Sequence, residues 1–93
     1  MLLSPEGAWA WDDAPAVEAL TLAAVSRLLE VQPRPEFLLL GTGTRLRQPP
    51  RQFVRELEAM DVGVEAMDSR AAARAWGVLR AEERWIVAAL LPL

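Results

Sequence analysis

The sequence contains no cysteine, histidine, lysine, tyrosine or asparagine. Each absence removes a chemistry. Without cysteine there is no disulfide, and with histidine also gone a structural zinc site lacks its usual ligands. The commonest general base, the thiol nucleophile, the Schiff-base amine and the phosphate-loop lysine are all missing. A proton-transfer mechanism is left with Asp and Glu, helped by Ser, Thr and Arg. The expectation is a protein that is not an enzyme and that carries no metal and no cofactor.

Other gaps bear on origin and location. All ten positive charges are arginine, Ile86 is the only isoleucine, and alanine is abundant. These are residues of GC-rich codons, which points to a bacterium and argues against reading function into arginine content alone. The opening "MLLSPEG" has neither a basic stretch nor a long apolar one, so no secretion signal is expected. No run approaches the ~18 apolar residues of a membrane span. A cytoplasmic protein without membrane insertion is expected. The net charge of −3 and pI of about 4.9 oppose nucleic-acid binding, with one local exception at Arg45, Arg47, Arg51 and Arg55.

What is present is a short chain rich in apolar residues. Ninety-three residues imply one domain, 1–93, with weak strands in 1–20 and an α/β core over 21–93. A chain of this size buries only about 60–65% of its unfolded surface, yet 53% of its residues are hydrophobic. Part of that surplus is expected to be covered by a protein partner or by a second copy in a homo-oligomer.

Along the chain, Trp9 and Trp11 alternate with alanine and fall on one face of a short strand, broken by Asp12, Asp13 and Pro15. Thr21 opens a helix with Leu22, Val25, Leu28 and Leu29 on one side, ended by "QPRPE". Phe37 to Leu40 is an apolar run too short for a helix and suited to a strand buried on both faces. Pro49-Pro50 suits a helix start, and Phe53, Val54, Leu57 and Met60 form its inner stripe. Asp61 to Gly63 stops that helix, and "VGVEAM" supplies a strand. Asp68 or Ser69 caps a third helix whose inner side is Ala72, Ala75, Trp76 and Leu79. "RWIVAALLPL" closes the chain as a strand. The order is β-α-β-α-β, an α/β fold with helices on a mainly parallel sheet.

In open α/β sheets ligands collect beyond the carboxyl ends of the strands. Two segments lie there, Gly41 to Arg47 and Met67 to Arg70. If their strands are neighbours, Gly41, Thr42, Gly43, Thr44 and Arg45 face Asp68, Ser69 and Arg70, a set able to hold an anion or small molecule. The plainer account is a sharp turn beside an ordinary helix cap. A third glycine and the phosphate-loop lysine are both absent, so the plainer account leads. Glu82-Glu83 and Asp12-Asp13 read as solvated surface, and Glu65 as the wet face of its strand.

"PEFLLLGTGTRLRQPP" followed by "GVEAMDSRAAARAWGVLRAEERWIVAALLPL" resembles a family of small α/β domains. That family includes the mitochondrial assembly factor three of respiratory complex I and an adipogenesis-associated animal protein. The resemblance runs from Pro35 to Leu93. It implies a three-layer domain around a mixed sheet with one strand antiparallel to the rest, and a role in binding other proteins rather than in catalysis. Two features depart from the family pattern. Relatives often begin with a longer N-terminal hairpin, so either the natural start lies upstream or an exposed edge remains. Gly77 and Ala73 also stand where relatives often carry Asn and, nearby, Cys. The leading expectation is a non-enzymatic interaction module that aids assembly of a respiratory or other multi-subunit complex. The alternative is a small-molecule or anion-binding protein using the loops at 41–47 and 67–70.

Overall fold

The computed structural model describes residues 1–93 and contains one five-stranded sheet. The strands are β1 (Leu2–Ser4), β2 (Gly7–Trp9), β3 (Phe37–Gly41), β4 (Gly63–Met67) and β5 (Val87–Leu90). Two α-helices, α1 (Arg51–Glu58) and α2 (Ser69–Ala81), join them, together with 3₁₀ segments at Val17–Ala19 and Leu22–Glu30. The spatial order is β2-β1-β5-β3-β4. β3 pairs in parallel with β4 and β5, whereas β1 is antiparallel to both β2 and β5. One strand, β1, therefore runs against the other four.

β3 sits at the centre because its residues are apolar on both faces. Leu38 and Leu40 point into the larger core with Val87 and Ala89, while Leu39 points the other way with Ile86 and Ala88. The larger core lies under α1 and the long 3₁₀ segment, through Phe53, Leu57, Val25 and Leu28. α2 alone covers the opposite face with half-buried Ala75, Trp76 and Leu79. Helices on both sides of the sheet give the three layers. No helix is long and apolar enough to cross a membrane.

Two local features differ from the pattern read in the sequence. Residues 22–30 form a 3₁₀ helix whose buried residues are Val25 and Leu28, continued by buried Val31, with Leu22 and Leu29 half-buried against the core. The spacing of Val25, Leu28 and Val31 is three throughout, the repeat of a helix with three residues per turn, whose i and i+3 side chains line up in one row. The second difference is at the first tryptophans. β2 ends at Trp9, and Trp11 lies beyond it, yet both side chains pack into the larger core. Trp9 also carries the Arg27 guanidinium over its ring at 4.8 Å.

Candidate functional site

The carboxyl ends of β3, β4 and β5 meet at one rim of the sheet because the three strands are parallel neighbours. At this rim β3 and α2 approach so closely that only glycine fits at residue 41. A Cβ there would lie 2.8 Å from both Cα and Oγ of Ser69 and 2.9 Å from Leu90. Gly43 has φ of +102°, a conformation L side chains rarely adopt. The two glycines thus serve different needs, close approach and turn geometry.

Hydrogen bonds then stitch the rim together. The Gly43 amide donates to Ser69 Oγ at 2.9 Å, and the Ser69 amide returns a bond to the Gly43 carbonyl at 2.8 Å. Ser69 Oγ donates its own proton to the Leu91 carbonyl at 2.7 Å. The Leu91 amide reaches the Gly41 carbonyl at 2.9 Å. Thr42 Oγ1 donates to the Arg45 carbonyl at 2.7 Å and accepts from the Arg47 amide at 3.0 Å, closing the loop on itself. The Thr42 amide donates to the Met67 carbonyl at 2.8 Å. Asp68 Oδ1 accepts from the Ala71 amide at 2.9 Å and so caps α2. Every buried side-chain nitrogen and oxygen in the molecule has a partner.

The structure therefore brings Gly41, Thr42, Gly43 and Ser69 into one buried knot. Asp68 turns toward its own helix, while Thr44, Arg45 and Arg70 are exposed. The sequence reading missed the third contributor to the rim, Leu91 and Pro92 beyond β5. Their place depends on β5 lying beside β3, a pairing that no local pattern encodes.

Several open depressions lie outside the knot, and two of them follow the exposed arginines. One, of about 410 Å³, is lined by Thr42, Gly43, Thr44, Arg45, Arg47, Pro92 and Leu93. The other, of about 370 Å³, continues along the chain and is lined by Gln48, Pro49, Arg51, Val54, Arg55 and Glu58. Neither includes Asp68, Ser69 or Arg70. Arg45, Arg47, Arg51 and Arg55 are all exposed, and none lies within 4.0 Å of a carboxylate, since the molecule's one ion pair joins Arg84 to Glu36. No group of His, Cys, Asp or Glu side chains is arranged to hold a metal ion.

Comparison with known proteins places this geometry among relatives. The model of a family described as "Protein of unknown function (DUF498/DUF598)" matches residues 1–91. An uncharacterised protein of Rhodobacter capsulatus is 34% identical over 96 aligned positions, covering all of this chain and 68% of that protein. The NADH dehydrogenase [ubiquinone] 1 alpha subcomplex assembly factor 3 of Danio rerio is 30% identical over 73 residues. That match covers 78% of this chain and 42% of the fish protein, less than half its length. A crystal structure from Bordetella parapertussis superposes with a TM-score of 0.82 at 41% identity, covering 99% of this chain and 77% of that one.

Proposed function

This chain belongs to the DUF498/DUF598 family, and on that premise we propose that it is a non-enzymatic protein-interaction module that aids assembly of a multi-subunit complex. The observation that carries the reading is the state of the strand-end rim. Where an α/β fold commonly offers free donors to a ligand, Gly43, Thr42 and Ser69 spend theirs on Leu91, Met67, Arg45 and each other. The polar groups there hold three strand ends together. The likeness to the fish assembly factor supports the assembly role, and it spans the matched 73 residues alone. The absence of His, Cys, Lys and Tyr from the chain agrees with a binding role.

Affinity capture of the tagged chain from its native host, with identification of what is retained, tests the reading. A reproducible, stoichiometric protein partner is expected. Capture of no protein above background would reject it.

A further inference from the structure

One stretch of the surface has an arrangement that the fold does not need. Arg51 opens α1, where the helix dipole is positive, and the first turn holds no acidic residue to offset it. Pro50 occupies the cap position and makes no side-chain capping bond. Arg55 follows four residues later, so two like charges share one side of the helix, a destabilising spacing. α2 carries the same spacing at Arg70 and Arg74, but there an acidic bonded cap, Asp68, answers it. Arg45 and Arg47 extend the positive strip into the preceding loop. A local rule broken without structural compensation points to a functional demand.

The strip is also selective in charge. Its four arginines stand apart from the rest of the molecule, where the six other arginines are outnumbered by the twelve Asp and Glu other than Glu58. Screening confines attraction to within about 8 Å. A long polyanion would meet the acidic remainder of the surface, whereas a short acidic segment would meet only the strip. The strip also has apolar neighbours, with Leu46 at 52% and Leu93 at 61% exposure and Val54 half-buried. It has no aromatic residue among the linings of its two depressions on which a base would stack. The chain from Arg45 to Arg51 spans at most about 20 Å, the length of six or seven extended residues.

We propose that the strip formed by Arg45, Arg47, Arg51 and Arg55 docks a short acidic segment of a partner protein, one whose apolar residues cover Leu46 and Val54. This deepens the interaction-module reading and rests on it. Glu58, which rims the second depression, opposes the segment and limits its reach along α1.

The test is fluorescence anisotropy with a labelled twelve-residue peptide of alternating Glu-Asp pairs and leucines, titrated with the intact chain in 50 mM salt. Saturable binding is expected, weakened at least about tenfold by the double substitution Arg45→Glu/Arg51→Glu and by 500 mM salt. Glu58→Gln should tighten it. The charge reversal at residue 51 should also raise the melting temperature by roughly 2–5 °C, because it removes the mismatch with the helix dipole. Loss of binding alongside a gain in stability cannot come from unfolding. The proposal is overturned by no saturable binding, or by binding the double variant retains. It is equally overturned by equal affinity for single-stranded DNA of the same charge, or by displacement with 1 mM citrate at constant ionic strength, a small-anion site. A dimer in sedimentation that the substitutions abolish would assign the strip to a second copy instead. In the capture experiment, a partner kept by the double variant would reject the strip and leave the module reading standing. Absence of any partner would reject that reading, and the peptide titration stands apart from it.

Discussion

Replacing Ser69 by alanine deletes one hydroxyl and leaves two buried backbone groups, the Gly43 amide and the Leu91 carbonyl, without partners. Each such loss costs about 1–3 kcal/mol, so Ser69→Ala should destabilise the fold by about 2–4 kcal/mol in urea unfolding. Gly41→Ala should be worse, because its new methyl meets the Ser69 backbone, which cannot swing away, as well as the side chains of Ser69 and Leu90. A Ser69→Ala protein within ~0.5 kcal/mol of the parent would contradict the structural role given to this rim. At this scale the sequence was half legible. "GTG" and "MDS" stand out as adjoining loops, and the structure does join Gly43 to Ser69. The direction of the Ser69 proton is hidden, because its acceptor, Leu91, lies just beyond β5, twenty-two residues away.

Among the elements, α1 and α2 and the strands between them announce themselves by local pattern. The Phe37 to Leu40 run, the Asp68 cap and the Ala72-Ala75-Trp76-Leu79 side are all signals carried within a few residues. Residues 22–30 illustrate the limit of propensity. "LAAVSRLLE" is rich in good α-helix formers, yet the row Leu22-Val25-Leu28-Val31 repeats every three residues, and packing of that row against the sheet prevails. The reversal of β1 and its pairing with β5 are non-local, so periodicity is silent on them, and only family resemblance anticipates a mixed sheet. The end of α2 offers a prediction of its own. Glu83 has φ of +62°, which costs an L side chain about 1 kcal/mol that glycine avoids. Glu83→Gly should therefore stabilise the protein by up to ~1 kcal/mol in chemical denaturation, and a clear loss of stability would refute the strain.

For the whole molecule, the buried knot and the proposed docking strip fall in different places. The knot at the strand ends is buried and self-satisfied, while the arginine strip is exposed and unpaired, with Arg51 at the unfavourable end of its helix. Composition made the strip visible as a local exception in an acidic chain, but only the structure shows that no carboxylate answers it. The central claim is that this chain works by holding another protein. Sizing a lysate of the native host under gentle conditions, with the chain detected by antibody, tests it most directly. The account predicts elution well above the position of the purified 10.3 kDa chain, shifting toward that position in high salt. Elution of the endogenous chain only where the purified protein elutes, at low salt and native abundance, would contradict it.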